Sequence, residues 1–210
     1  ESNADFANRF YMQHISEVSR LRDGKAIDRT TYEYSTQDAV PYISDVYLHA
    51  GENQHKQLYN CSKVNVKGHP VIATYADQLP VIYLWGNDYL HPVATIKTPD
   101  VLQTIGALGF SPELAPDYSY SLSSRISQLR QNLPLCEITE YTYQPHIGIK
   151  SITPQSGKTT YYDYDIFGRL AAVSDTKHET VNSYIYSSVS SSGSEEDYTR
   201  LVRNYLNRNI

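Results

Sequence analysis

Polar and apolar residues alternate with a period of two through most of the chain, in short runs separated by turn-forming residues. Residues 17–21 and 27–34 are two such runs, and the turn between them contains Asp23 and Gly24. Alternation on both sides of an Asp-Gly turn predicts a β-hairpin. Further runs predict another four or five antiparallel strands. They include residues 43–48, 57–66, 71–75 and 80–85.

The period changes to that of an α-helix in the middle of the chain. Segment 98–109 has apolar residues at helical spacing, with Thr98 as the predicted N-cap and Pro99 at the first helical position. A second apolar stripe predicts a helix that ends before Pro134. Its members are Leu122, Ile126, Leu129 and Leu133. Both stripes are interpreted as core contacts, so residues 98–134 are predicted to be a helical insertion.

Strand-type alternation returns after Cys136. Residues 137–143 and 149–153 are predicted strands, and the segments 145–148 and 154–157 are predicted turns. A mainly β fold is therefore expected, with antiparallel strands on both sides of the helical insertion.

The C-terminal part of the chain changes in composition. Serine-rich residues 187–194 predict a flexible linker. Residues 194–209 begin with acidic residues and carry an apolar stripe, which predicts an amphipathic C-terminal helix. We expect this helix to pack on the same domain, with docking onto a separate partner as the alternative. Residues 1–210 are predicted to form a single domain.

Composition excludes several classes of protein. The 210 residues include 18 Lys and Arg against 23 Asp and Glu, a net charge of −5, with no basic cluster that suits a phosphate backbone. Apolar runs fall far short of the ~20 residues that a membrane-spanning helix needs. The sequence therefore predicts neither a nucleic-acid partner nor a membrane span.

Tyrosine is strongly over-represented, with 20 Tyr against 4 Phe and 1 Trp. On a half-buried strand the tyrosine ring adds buried apolar area while its hydroxyl reaches solvent. We favour this scaffold role for the tyrosines. The alternative is an aromatic platform on which a sugar or a peptide stacks.

Residues that carry enzyme chemistry are scattered along the chain. The seven histidines show neither HExxH nor HxH spacing, so we expect no metal site and no cofactor. Cys61 and Cys136 fit no metal-ligand spacing, which leaves two buried thiols or one disulfide. Asp163 and Asp165 share one face of a predicted strand, about 7 Å apart, which leaves a glycosidase-like pair as an unfavoured alternative. We expect a non-enzymatic protein.

The most specific pattern lies in residues 162–170, which read Tyr-x-Tyr-Asp-x-x-Gly-Arg-Leu. Alternation predicts a strand that leads into a turn, where an Asp side chain can accept backbone N–H groups and a glycine adopts a left-handed conformation. The motif residues are Tyr162, Tyr164, Asp165, Gly168, Arg169 and Leu170. This string resembles the YD repeat of the RHS family, in which it marks one β-hairpin.

Two other segments extend the resemblance to RHS proteins of bacterial surfaces. Residues 141–153 read Tyr-Thr-Tyr-x-Pro-x-x-Gly-x-x-Ser-x-Thr, and residues 83–86 read Tyr-Leu-Trp-Gly with His-Pro-Val-Ala at 91–94. The resemblance covers about residues 15–186.

The repeat is degenerate outside its one full copy. Segment 65–68 has Asn in place of Asp, segment 154–157 lacks the Asp, and segment 175–178 lacks the Gly.

The resemblance implies an antiparallel twisted sheet of consecutive β-hairpins, which curls into a hollow shell when many repeats are present. A chain of 210 residues is too short to close such a shell, so we expect an open section with uncovered edges.

The resemblance also implies an exported bacterial protein, in the periplasm, at the cell surface or secreted, with a structural or binding role. Contacts with carbohydrate or a host factor, or a place in a toxin-associated shell, would fit that role. The candidate binding residues are Tyr83, Trp85, Tyr162 and Tyr164. An alternative is an assembly module that pairs with a protein partner through an open sheet edge.

Overall fold

The computed structural model describes residues 14–50, 54–86, 89–114 and 120–187. The chain divides into two compact units, residues 1–140 and 141–210. The single domain predicted for residues 1–210 stays a prediction. Apart from Ser187, the predicted linker 187–194 and the predicted helix 194–209 lie outside the described residues. No described helix is long and apolar enough to cross a membrane.

The described part of the chain is mainly β. Its strands are β1 (Glu17–Arg22), β2 (Lys25–Gln37), β3 (Val40–Ala50), β4 (Gln54–Val64), β5 (Pro70–Tyr75), β6 (Val81–Trp85), β7 (Pro92–Lys97), β8 (Glu137–Gln144), β9 (Gly148–Thr153), β10 (Thr160–Tyr164), β11 (Leu170–Ser174) and β12 (Thr180–Ser183). Two helices, α1 (Val101–Leu108) and α2 (Tyr120–Asn132), lie between β7 and β8. The predicted helical insertion is therefore present as two helices.

Strands pair antiparallel with their neighbours in sequence. In the first unit the order runs from β1 to β8. In the second unit β9, β10, β11 and β12 follow one another in the same way. The prediction of a mainly β fold with consecutive antiparallel strands is confirmed.

The first hairpin forms as predicted, and the next turn shows why β2 is longer than expected. Asp23 and Gly24 have φ values of 52° and 76°, the left-handed pair that a two-residue hairpin turn requires. Asp38 and Ala39 form a second turn with φ values of 49° and 64°. Sequence patterns place glycine or asparagine at such positions, so Ala39 gives no signal, and the position of this turn between the predicted strands 27–34 and 43–48 was not predicted.

The helices of the first unit form its core with strands β6, β7 and β8. The stripe predicted for α2 faces this core, because Ile126 is fully buried and its stripe neighbours are buried with it. The buried cluster consists of Ile82, Leu84, Val93, Ala94, Ile96, Leu108, Leu122, Ile126, Leu129, Leu133, Cys136 and Ile138.

The N-cap of α1 is Asp100, and the prediction of Thr98 was wrong. The Asp100 side chain accepts a hydrogen bond from the backbone N–H of Gln103 at 2.9 Å. Thr98 lies two residues earlier, where its hydroxyl accepts from the Asp100 N–H and contacts the Thr104 hydroxyl at 2.7 Å. An Asp placed directly before the first turn satisfies the unpaired N–H groups better than a Thr two residues away.

Both cysteines are free and buried, which decides between the two alternatives that the sequence left open. Cys136 lies in the core of the first unit, where its thiol contacts the Thr98 hydroxyl at 3.3 Å. Cys61 donates to the carbonyl of Lys63 at 3.3 Å. Each thiol therefore contributes to local packing.

Candidate functional site

The turn between β10 and β11 uses every polar atom of the Asp165 carboxylate. One carboxylate oxygen accepts the backbone N–H groups of Phe167 and Arg169, at 2.9 and 3.0 Å. The other oxygen accepts the Arg169 guanidinium at 2.7 and 2.8 Å. Backbone hydrogen bonds join Asp165 to Gly168 and Arg169, and Gly168 has a φ of 73°. The Asp, the Gly and the Arg of the motif thus form one closed turn.

The same turn geometry occurs at two other places despite different residues. At 65–69, Asn65 accepts the N–H groups of Lys67 and His69 at 2.9 and 3.1 Å. At 175–179, Asp175 accepts the N–H groups two and four residues later, at 2.8 and 3.0 Å. The left-handed fourth position is Gly68 in one turn and His178 in the other. The degenerate copies therefore retain the geometry that their sequences had partly lost.

Tyrosine hydroxyls donate to the main chain of the neighbouring segment. Tyr164 donates to the carbonyl of Ile149 at 2.7 Å, and Tyr186 donates to that of Leu170 at 2.8 Å. In the first unit Tyr34 donates to the carbonyl of Ile15 at 2.9 Å. These hydroxyls do not point simply to solvent, as the scaffold interpretation assumed. Phenylalanine could not make this contact, which gives a physical reason for tyrosine at these positions.

Glycine at position 148 is explained by the same tyrosine. A Cβ atom added to Gly148 would lie 3.0 Å from the Tyr164 hydroxyl oxygen.

The Arg169 guanidinium lies 4.2 Å from the centre of the Tyr186 ring, a cation–π contact, in addition to its ion pair with Asp165. Arg169 therefore contacts both another motif residue, Asp165, and a tyrosine of the second unit.

Burial raises the pKa of several tyrosines in the two units. Burial raises the pKa of Tyr164, with Tyr162 adding to the effect, and burial with Tyr32 does the same for the pKa of Tyr34. Burial, with a smaller contribution from Tyr141, raises the pKa of Tyr143 to about 12. A protonated hydroxyl is the form that can donate a hydrogen bond, so these groups act as donors at neutral pH.

Asp163 and Asp165 are not placed as a pair on one strand. Strand β10 ends at Tyr164, and a register shift separates Asp163 from it, so Asp165 belongs to the turn. Its carboxylate is held by Arg169 and by two backbone N–H groups. This arrangement supports the structural role that we favoured for Asp165.

A row of aromatic rings crosses β4, β5 and β6 in the first unit. Tyr59 and Tyr75 are register partners with ring centres 5.3 Å apart. The Tyr75 and Tyr83 hydroxyls are 2.9 Å apart. Trp85 lies 6.4 Å from Tyr83 and 4.5 Å from His69, centre to centre. We call Tyr59, His69, Tyr75, Tyr83 and Trp85 the aromatic row.

The polar atoms of the aromatic row are largely engaged within the fold. The Trp85 indole N–H donates to the carbonyl of Pro70 at 2.8 Å, which fixes the ring in one orientation. Burial, followed by the adjacent Cys61, raises the pKa of Tyr59, and burial raises the pKa of Cys61 itself. A thiol that stays protonated is a poor nucleophile. The row therefore offers the faces of its rings to a ligand.

The structure brings together two of the four predicted binding residues. Tyr83 and Trp85 are neighbours in the aromatic row. Tyr162 and Tyr164 lie in the second unit, on β10, where the Tyr164 hydroxyl is engaged by Ile149. Binding through any of them stays a prediction. Sequence reasoning missed His69, Tyr59 and Tyr75, because only strand register places Tyr59 beside Tyr75, and only the fold places His69 beside Trp85.

Comparisons with known proteins give weak similarities. No protein-family model and no curated protein matches the chain. The crystal structure of TcdB2-TccC3-TEV has a TM-score of 0.45 and 14% identity over a match covering 81% of this chain. A TcdB2-TccC3 structure without its hypervariable C-terminal region has a TM-score of 0.43, 13% identity and 76% coverage. The structure of a Photorhabdus luminescens Tc holotoxin pore has a TM-score of 0.42 and 13% identity, over a match covering 81% of this chain. The chain spans 8% of each of those chains, and similarity of this size does not establish a family.

Replacing Gly168 by valine should destabilise the protein by about 1 kcal/mol or more, because a β-branched residue adopts a positive φ only with strain. Steric crowding is not the cause of this loss of stability, since a Cβ added at position 168 would meet only Ile147, at 3.9 Å. Gly168→Asn should cost less, because asparagine tolerates this conformation. Ile166→Val is the matched control in the same turn. Denaturant unfolding measures all three, and a Gly168→Val variant as stable as Ile166→Val would contradict the turn.

The Asp165 cap should also make stability depend on pH. Partial desolvation raises the pKa of Asp165, but hydrogen bonds from Arg169 and Phe167 outweigh it, so the pKa lies below its ordinary value. The stabilisation is therefore present above the unfolded-state pKa of about 4 and is lost as pH falls through the lower folded-state value.

Asp165→Asn is the test of this dependence, because Asn65 already fills the same position in a sister turn. At neutral pH the natural protein should melt at a higher temperature than Asp165→Asn. The difference should shrink as pH falls below about 4. A difference that stays constant across this range would show that the Asp165 charge adds no stability.

Proposed function

We propose that this chain is a non-enzymatic β-sheet module of an exported RHS-type protein, and that the aromatic row is its ligand-binding surface. The aromatic row is the observation that carries the proposal. Tyr75, Tyr83 and Trp85 form a continuous series of contacts on adjacent strands, and each ring remains partly exposed. The YD-type string at 162–170 and its closed turn support the RHS resemblance, and export follows from that resemblance.

The engagement of the motif residues supports a non-enzymatic role. A catalytic carboxylate must be available to a substrate, whereas Asp165 is held by Arg169 and by two backbone N–H groups. The Tyr164 hydroxyl donates to the carbonyl of Ile149, and the Arg169 guanidinium contacts the Tyr186 ring. Both groups are therefore also engaged within the fold. Such residues stabilise hairpins, which leaves ligand contacts to other side chains.

Carbohydrate is the ligand class that best suits the aromatic row. Trp85 is oriented by the carbonyl of Pro70 and flanked by His69, so its ring needs little ordering when a ligand stacks on it. Indole and phenol rings combine an apolar face with a polar edge, which suits the mixed surface of a sugar ring. A preformed aromatic surface with few free donors favours stacking over a dense hydrogen-bond network.

Trp85 is the single tryptophan of the chain, so its fluorescence reports directly on the aromatic row. A glycan array should identify a sugar, and titration with that soluble oligosaccharide should change the Trp85 emission. Trp85→Ala, assayed by calorimetry, should bind at least tenfold more weakly, a loss of about 1.4 kcal/mol. The loss follows because the ring that stacks on the sugar is removed.

Tyr184→Ala is the matched control, since Tyr184 is exposed and lies in the second unit. It should bind like the natural protein. An array without any hit, or an equal loss of affinity in the Tyr184 variant, would reject the carbohydrate proposal.

Pairing through a sheet edge is a second candidate function, favoured by strand β1. All six residues of β1 are exposed, and among the described residues its one strand partner is β2. Val18 and Leu21 are 49% and 62% exposed, so this edge presents apolar side chains beside backbone groups that pair with no described strand other than β2. Exposed edges of this kind add strands from other chains.

Light scattering across a concentration series tests whether the edge at strand β1 pairs with another chain. The natural protein should form dimers or larger species as concentration rises. The double variant Val18→Lys/Leu21→Lys should remain monomeric, because lysines on an edge strand oppose pairing. Val181→Lys, on β12, is the control at a different exposed strand. A natural protein that stays monomeric at every concentration would reject this function.

A further inference from the structure

Two histidines face each other across strands β3 and β4. His49 and His55 are direct register partners. Their ring centres lie 6.0 Å apart and the ring planes differ by 24°. His55 is exposed and His49 is half-buried, so both rings can be reached from solvent. The pair lies on strands β3 and β4 and shares no residue with the aromatic row.

The separation of the two rings is within the span of one metal ion. Imidazole nitrogens bind zinc and related ions at about 2.0–2.1 Å, which places the ion roughly 3.2 Å from the centre of each ring. Two rings that share an ion can then have centres up to about 6.4 Å apart. The observed 6.0 Å fits this limit. Rotation about χ2 of His55, which is a soft torsion in histidine, brings a nitrogen of that ring to the ion.

A hydroxyl from the adjacent strand already holds one nitrogen of His49. The Thr31 Oγ1 atom lies 2.9 Å from His49 Nε2. Metal-binding histidines usually have their second ring nitrogen hydrogen-bonded in this manner, which fixes the tautomer and the ring orientation. Nδ1 is then the nitrogen of His49 that is left for a metal ion.

The surroundings allow a cation despite nearby basic residues. Arg29, on β2, is the register partner of His49. Its guanidinium forms an ion pair with the Glu17 carboxylate at 3.6 Å. Lys56, next to His55 in sequence, is paired with Asp77. Both positive charges are thus partly offset by carboxylates.

Tyr47 stands beside His55 but is a poor third ligand. The two ring centres are 5.9 Å apart. The Gln57 side-chain amide donates to the Tyr47 hydroxyl at 3.5 Å, so this oxygen is already engaged within the sheet. The described residues contain no group of three or more His, Cys, Asp or Glu that could hold an ion. Among the described residues, the protein ligands of a metal bound here are therefore the two imidazole nitrogens.

We propose that His49 and His55 form a two-histidine site for a late first-row divalent cation. Imidazole ligands suit Cu²⁺, Ni²⁺ and Zn²⁺, and affinity in such sites peaks at Cu²⁺. Binding would join β3 to β4 through their register partners His49 and His55. The site would leave coordination positions open to a further ligand.

Calorimetric titration of the full chain with Cu²⁺, Ni²⁺, Zn²⁺ and Mg²⁺ tests the site. One equivalent of Cu²⁺ should bind, more tightly than Ni²⁺ or Zn²⁺, and Mg²⁺ should not bind because it prefers oxygen ligands. His49→Gln and His55→Gln should each weaken Cu²⁺ binding by roughly 100-fold, since the chelate becomes a single ligand. Thr31→Val should weaken it by about tenfold.

His146→Asn is the matched control, because His146 lies in a turn of the second unit where asparagine also tolerates the positive φ. It should bind Cu²⁺ like the natural protein. Unchanged affinity in the His49 and His55 variants, or no saturable binding of Cu²⁺, Ni²⁺ or Zn²⁺, would overturn the proposal.

A measurement on the natural protein does not depend on the folding of any variant. Paramagnetic Cu²⁺ should broaden amide NMR signals around residues 47–57 first. Broadening centred on any other histidine would place the ion elsewhere and overturn the proposal.

Discussion

Side-chain caps at the hairpin turns are the constraint on which the repeat-like parts of this structure depend. In each of three turns, one side-chain oxygen accepts two backbone N–H groups while the fourth residue adopts a left-handed conformation. Turn geometry fixes the register of the strands that it joins, and a slip of one residue would turn every side chain to the opposite face. The positions of the tyrosines on β10 therefore follow from Asp165 and Gly168.

Tyrosine is abundant because the same hairpins need a hydrogen-bond donor that reaches across one strand. A buried ring alone could be phenylalanine, but the hydroxyls of Tyr34, Tyr164 and Tyr186 each donate to a carbonyl of the adjacent segment. The ring covers the neighbouring strand and its hydroxyl secures that strand's backbone. Close approach of this kind also leaves room only for glycine at position 148, beneath Tyr164.

Local signals in the sequence were sufficient to predict most elements of the fold. The hairpin at Asp23-Gly24, the two helices and the closed turn at 165–169 all depend on residues that are close in sequence. The turn at Asp38 and Ala39 was harder to predict, because alanine adopts a positive φ value that its residue type does not favour. Such conformations are imposed by strand pairing on both sides of the turn, which no local pattern records.

Contacts between strands explain why the candidate sites were only partly predicted. Tyr83 and Trp85 were found because they are two residues apart, whereas His69 and Tyr59 join them only through register. His49 and His55 are six residues apart, a spacing that suggests no metal site until the β3–β4 register places them face to face. Motif residues are occupied with holding hairpins together. In the proposed function, ligand recognition therefore belongs to side chains between the motifs, whose neighbours are set by register rather than by sequence.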